Sequence, residues 1–185
     1  MKIVIVGAGE VGRYVAKMLS NENHDITIMD ESEDRLQDLD TNYDIMSRVG
    51  SPTSITDLQM CGVRNCDLFI AVYPSESVNT TACIIASKLG ARKTVARIDN
   101  YEYLLPKNKE MLKNLGIDKL IYPEVLAATE IVQSLKRSWI REYRTFSNEA
   151  LVLVCVKVRE NAEIINKVFS TGFFNHSMYR IVAVK

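Results

Sequence analysis

Three glycines stand at the start of the most chemically suggestive stretch of this chain. In Gly7-Ala8-Gly9-Glu10-Val11-Gly12 they follow a short apolar run, Ile3–Val6, and precede an amphipathic segment. A strand, a glycine turn and a helix start in that order form an anion site. Gly7 permits the tight turn, Gly9 lets the backbone come close to a diphosphate, and Gly12 lets the helix lie close on the sheet. The first amides of the helix lack partners within it, and with the helix dipole they favour phosphate oxygens. Asp30 is the second element. It ends the next apolar run, 18 positions after Gly12, where a carboxylate accepts from both hydroxyls of an adenosine ribose. Glu31 follows it. A pair of carboxylates repels a 2′-phosphate, so NAD or another plain adenosine nucleotide is expected over NADP.

Three further positions belong to the same expected cleft. The loop Gly50-Ser51-Pro52-Thr53 is expected beside the adenine, with Ser51 and Pro52 as contacts. The loop Tyr73-Pro74-Ser75-Glu76 is expected along the diphosphate and the second ribose, with Tyr73 and Pro74 as contacts. Arg97 is the one basic residue expected to point into the cleft and sense phosphate charge. The expected cofactor-binding set is therefore Gly7, Ala8, Gly9, Glu10, Val11, Gly12, Asp30, Glu31, Ser51, Pro52, Tyr73, Pro74 and Arg97.

Catalytic groups are harder to find. A nicotinamide dehydrogenase needs an acid or base beside the ring. His24 precedes the second apolar run, at the wrong edge of the sheet, and His176 lies in the tail. Tyr103 and Lys107 have the spacing of a Tyr/Lys pair, but Pro106 lies between them. No Ser-His-Asp set, paired catalytic carboxylates or P-loop is present, and the sequence is read as non-enzymatic. The alternative is an NAD-dependent oxidoreductase whose substrate domain is missing. The four cysteines, Cys61, Cys66, Cys83 and Cys155, form no CxxC pair. They are expected to be reduced and mostly buried rather than metal ligands.

These residues need a scaffold, and the apolar pattern supplies one. Strands are expected at Ile3–Val6, Asp25–Met29, Asp44–Val49, Asp67–Val72, Thr94–Ile98 and Ile117–Tyr122. Helices are expected near Val11–Leu19, from Ser32 to Asp40, Ile55–Met60, Val78–Leu89 and Tyr103–Leu115, the last with an irregular start at Pro106. Val11, Val15, Met18 and Leu19 are expected to form the inward face of the first helix. Six strands alternating with helices predict an α/β fold, a Rossmann-type doubly wound parallel six-stranded sheet. Ligands of such sheets bind at the strand C-termini where the strand order reverses. A long helix is expected from Pro123 to Trp139, with Ala128, Ile131, Val132, Leu135 and Trp139 on one face. The polar stretch Arg141–Asn148 reads as a boundary. Leu151–Val158, Glu163–Ser170 and Tyr179–Val184 read as strand, helix and strand of a partial small α+β domain.

The chain of 185 residues carries 23 Lys+Arg and 23 Asp+Glu, so its net charge is zero. Without a basic excess, nucleic acid is not an expected partner. No apolar run approaches the ~18 residues of a membrane span and no signal peptide is read, so direct membrane insertion is not expected.

Taken together, Ile3–Gly12, Asp30-Glu31, Val49–Thr53, Asp67–Asn79, Val95–Asn100 and Ile121–Ala128 resemble the KTN/RCK nucleotide-binding domain family, in particular its potassium-uptake regulatory subunits. The resemblance covers residues 1 to about 140, and the tail from Ala150 resembles the start of the family's small C-terminal domain. It implies a Rossmann nucleotide-binding domain over 1–122, a crossover and dimerisation helix with linker over 123–144, and a partial, truncated C-terminal-like domain over 145–185. It also implies a cytoplasmic regulatory subunit, peripheral at the inner face of the plasma membrane. Such a subunit binds NAD(H), or ATP or ADP, and acts on a membrane-embedded potassium transporter subunit as a homodimer or higher ring. A regulatory module of a potassium-efflux or cation–proton antiport system is the alternative within the resemblance. Two departures stand out: Gly50-Ser51-Pro52 replaces a frequent Gly-Asp-Ala, and Tyr73 is bulkier than the small or hydroxyl residue expected there.

Overall fold

In a computed structural model the described residues are all except 38, 40–42, 137–139, 147–149, 163, 167–180 and 183–185, with only the backbone described at 133, 136, 143 and 145. The chain divides into two compact units, Met1–Thr129 and Glu130–Lys185.

The first unit is built on six parallel strands: β1 (Lys2–Val6), β2 (Asp25–Asp30), β3 (Ile45–Val49), β4 (Leu68–Ala71), β5 (Thr94–Arg97) and β6 (Lys119–Ile121). Their order is β3-β2-β1-β4-β5-β6, so the direction of winding reverses between β1 and β4. The register aligns Val6 with Met29 on one side and with Ala71 on the other. Interior parallel strands are covered on both faces and read as unbroken apolar runs. Ile3, Val4, Ile5 and Val6 are accordingly all fully buried. The helices are α1 (Glu10–Ser20), α2 (Glu33–Leu36), α3 (Ile55–Met60), α4 (Glu76–Leu89), α5 (Pro106–Asn114) and α6 (Pro123–Lys136). Pro106 is the first residue of α5, behind a 3-10 turn at Tyr101–Leu104. A missing N–H costs nothing at that position.

Each face of the sheet carries a core. One gathers Val4, Val6, Met29, Leu58, Phe69 and Tyr73 with the inner side of α4. The other gathers Ile3, Ile5, Ile28, Leu36 and Val72 with α1. Fully burying a side chain of the Leu, Ile or Phe kind contributes about 1.5–3 kcal/mol, and these two layers pack the sheet on both faces.

The inward face of α1 differs from expectation. Gly12 and Ala16 are its buried residues, flanked by Val15 and Leu19. Val11 and Met18 are 49% and 55% exposed. Small residues face the sheet because they let the helix axis come close to it, so the packed face is turned away from the largest apolar side chains.

In the second unit, β7 (Ile140–Phe146) pairs antiparallel with β8 (Leu151–Val156). Residues 140–146 therefore form a strand where a polar boundary was expected. Trp139 and most of the expected helix and last strand of the tail lie outside the described residues. The α6 side chains Ile131, Val132 and Leu135 are exposed. Among the described residues no helix is long and apolar enough to cross a membrane.

Cys61, Cys66 and Cys83 are buried and Cys155 is exposed, all unpaired. Burial pushes the Cys83 thiol up to about 12 and those of Cys61 and Cys66 up to about 11. The folded chain keeps protons that the unfolded chain releases above about pH 9. This part of the stability is present below that pH and is lost as pH rises toward 12. At ~1.4 kcal/mol per tenfold change in proton affinity, Cys83 alone accounts for roughly 4 kcal/mol. Two measurements check this. A thiol reagent at neutral pH should titrate one cysteine per chain before denaturation and four after. Urea midpoints should fall between about pH 8.5 and 11, less steeply for Cys83→Ala.

Candidate functional site

The first loop is shaped from β1 outward. Gly7 leaves the strand with its N–H donating to the Met29 carbonyl at 2.8 Å. Its φ of +102° is open to glycine and costly for other residues. A Cβ there would press on the backbone of Tyr73 at 3.0 Å. A Cβ on Gly12 would overlap the Gly7 carbonyl oxygen. Gly9 is the opposite case: a Cβ on it would meet nothing within 4 Å. Gly9 caps α1 without any side-chain hydrogen bond. The mouth of the helix is thus bare backbone facing open space, at the sheet edge beside the winding reversal. Two glycines make the turn, and the third leaves room in front of it.

Asp30 holds this loop from β2. Its Oδ2 accepts from the Ala8 N–H at 2.7 Å and its Oδ1 accepts from the Ser32 N–H at 2.9 Å. The residue is 1% exposed. Arg35 Nη1 lies 3.6 Å from Oδ2, and Arg13 on α1 donates to the carbonyls of Arg35 and Gln37. The end of β2 is therefore flanked by two guanidinium groups as well as by the exposed Glu31 carboxylate. These two cations offset the negative charge of Asp30 and Glu31 at this end of the strand.

Tyr73 follows β4 and is 9% exposed. The Glu31 N–H donates to its hydroxyl at 3.0 Å. Burial pushes this phenol up to about 12, against the lowering by the Glu31 N–H. Asn79, buried in α4, fixes the backbone on which the ring is carried. Its Oδ1 accepts from the Tyr73 N–H at 2.8 Å, and its Nδ2 donates to the carbonyls of Tyr73 and Arg97, each at 2.9 Å. Glu76 Oε2 accepts from the N–H groups of Asp99 and Asn100, each at 2.9 Å, and so joins the start of α4 to the exit of β5. The loop after β3 is held in the same manner, Ser51 N–H donating to Asp57 Oδ2 at 2.9 Å. Pro52 is buried in that loop and Pro74 is exposed. Arg97 is half-buried at the end of β5, and among the described residues its guanidinium makes no ion pair.

Hydrogen bonds and close packing link Gly7, Ala8, Gly12, Asp30, Glu31 and Tyr73 into one cluster at the ends of β1, β2 and β4. Ser51, Pro52 and Arg97 stand on the same sheet edge, outside that cluster. Glu10 and Val11 are exposed at the start of α1. The expected set omitted Asn79, Arg13 and Arg35. Asn79 had a signal: it shares the inner face of α4 with Ala82, Cys83 and Ala86, and a polar residue on a buried face must find partners. The two arginines had none. His24 lies at the other end of β2, beside Glu22 and the amino terminus, and Tyr103 packs against the core.

A strand order of this kind, with a glycine turn opening the first helix and an acid ending the second strand, defines a Rossmann-type domain. The chain belongs to the TrkA-N domain family, whose model matches residues 3–123. It is 36% identical over 172 residues to the Trk system potassium uptake protein TrkA of Haemophilus influenzae, covering 92% of this chain and 38% of that protein. The chain thus spans well under half of that relative's length. Among solved structures, the TrkA-N domain of the inner membrane protein ybaL from Escherichia coli superposes with a TM-score of 0.63 at 16% identity, covering 72% of this chain and 96% of that one. The GsuK channel bound to NAD superposes with a TM-score of 0.54 at 22% identity, covering 65% of this chain and 21% of that one. These two likenesses show the fold.

Proposed function

We propose that this chain is the nucleotide-sensing part of a cytoplasmic regulatory subunit of potassium uptake. It binds NAD(H), or ADP or ATP in its place, through the adenosine diphosphate they share. The observation that carries this reading is the uncapped mouth of α1, bare at Gly9 and tied through Ala8 to the Asp30 carboxylate. Backbone amides there suit a diphosphate, and Asp30 stands where a ribose would follow. Gly7–Gly12, Asp30 and Glu31 are the inner contacts. Ser51 and Pro52 border the base, Tyr73 and Pro74 border the opposite wall, and Arg97 faces the phosphate side. The GsuK channel bound to NAD supports the choice of ligand by shared fold.

Residues 1–122 act as the binding domain, 123–144 as crossover helix and linker, and 145–185 as part of a C-terminal domain. The exposed apolar residues of α6 suit a second copy of the chain, giving a homodimer or a larger ring. The ring sits at the inner face of the membrane through a potassium transporter subunit, and nucleotides of different charge favour different closures of it. A ligand shifts such an equilibrium only by its differential affinity for the two states. The function is regulatory rather than catalytic.

Native mass spectrometry of the purified chain tests the reading. A bound adenosine nucleotide and an even oligomer are the expected result. A chain that takes up none of NAD, NADH, ADP or ATP would sink it. Steady oxidation of NADH with a panel of oxo-acids would instead favour the oxidoreductase alternative.

A further inference from the structure

We propose that Tyr73 is a built-in competitor for the adenosine end of the cleft: its side chain bridges the ends of β4 and β2, and nucleotide binds to a form in which it has turned away. This rests on the nucleotide-binding reading above and adds to it a conformational control. The strand order places β1 between β2 and β4. The hydrogen bond that the Glu31 N–H donates to the Tyr73 hydroxyl therefore crosses the end of β1, with the ring beside Gly7. With a diphosphate at the mouth of α1 and a ribose at Asp30, the base has to lie between the loops after β2, β3 and β4. That is the space this ring spans.

The backbone of Tyr73 cannot easily give way, because Asn79 holds both its N–H and its carbonyl. Opening is therefore a side-chain rotation, not a loop movement. It has a cost, since the ring leaves a core that includes Val6 and Met29. It also has a return. The freed Glu31 N–H becomes a donor next to the Asp30 carboxylate, and a ribose hydroxyl needs both a donor and an acceptor. The apparent affinity is the intrinsic one reduced by the fraction of open form. Removing the ring should remove that reduction.

Calorimetric titration of AMP and of NAD into the wild-type chain, Tyr73→Ser and Tyr73→Phe provides the test. Tyr73→Ser should bind both ligands at least about tenfold more tightly, ~1.4 kcal/mol. Tyr73→Phe, which loses only the bond to Glu31, should gain less than Tyr73→Ser. If the wild type binds and Tyr73→Ser binds equally or more weakly, the ring is an ordinary ligand contact and this proposal falls while the binding reading stands. If none of the three chains binds either ligand, both fall. A second measurement needs no variant. In the wild-type chain an NMR cross-peak between the Tyr73 ring and the Glu31 amide should be present without ligand and vanish at saturating AMP. Its persistence at saturation would overturn the proposal.

Discussion

Gly12→Ala is expected to collapse the stability of the first unit, whereas Gly9→Ala is expected to leave the unit folded and unable to hold a nucleotide. The two glycines stand three positions apart in the same turn, and their surroundings are opposite. A methyl on Gly12 has no room, because the Gly7 carbonyl oxygen already occupies its place. The clash is backbone against backbone, so no rotamer relieves it; α1 must lift off β1 and open the core around Ile5 and Val72. Overpacking costs about 1–3 kcal/mol where side chains can adjust, and this site belongs at or above the top of that range. Against a typical stability of about 5–15 kcal/mol, the thermal midpoint should drop by roughly 6 °C or more, at ~2–4 °C per kcal/mol for a chain of this size. At Gly9 the φ of −67° suits alanine and the space is empty. The cost is that of a poorer helix cap, about 1 kcal/mol or less. The added methyl instead points into the space that a diphosphate would fill. Circular dichroism melts of both variants beside nucleotide titrations separate the two effects. An alanine at Gly9 that binds ADP as tightly as the wild type would place the diphosphate elsewhere.

Much of this arrangement is legible in the residue types, because it depends on local rules. The run Ile3–Val6 followed by three glycines specifies strand, turn and helix by residue type alone, and the alternation of strands and helices leads to the doubly wound sheet. What escapes is contact between distant residues and packing by small ones. The buried face of α1 is Gly12 and Ala16, which carry little hydropathy, so a pattern read from large apolar residues turns the helix toward Val11 and Met18. β7 is missed for a related reason. Its apolar positions, Ile140, Tyr143 and Phe146, recur every third residue rather than every second, and the strand exists by pairing with β8. The bond from Glu31 to Tyr73 spans 42 positions. Nothing in either segment announces it, although the unexpected bulk of Tyr73 does single out the residue.

Asp30→Ala should weaken the fold and the nucleotide affinity together, the first through contacts made by both of its carboxylate oxygens. Both carboxylate oxygens already accept from backbone amides, those of Ala8 and Ser32, and the Ala8 N–H is buried. Removing the acceptor leaves that donor unpaired, at roughly 1–3 kcal/mol, in addition to the loss of a hydrogen bond to a charged group. A stability loss of about 3 kcal/mol is expected from chemical denaturation. The glycine loop also loses one of its ties to β2, the bond from Ala8, while that from Gly7 to Met29 remains, so weaker binding by itself would not reveal whether the carboxylate touches the ribose. Each oxygen of an ionised carboxylate has two lone pairs, and one on each remains for a sugar hydroxyl. The ligand can therefore be altered instead of the protein. ADP and its 2′,3′-dideoxy analogue carry the same base and diphosphate, and differ at the groups Asp30 would grip. The wild-type chain should bind the dideoxy compound at least tenfold more weakly, in keeping with ~1.5–3 kcal/mol for hydrogen bonds to a charged acceptor, and in Asp30→Ala most of that difference should disappear. Equal affinity for both in the wild type would restrict Asp30 to holding the loop and move ribose recognition to another residue.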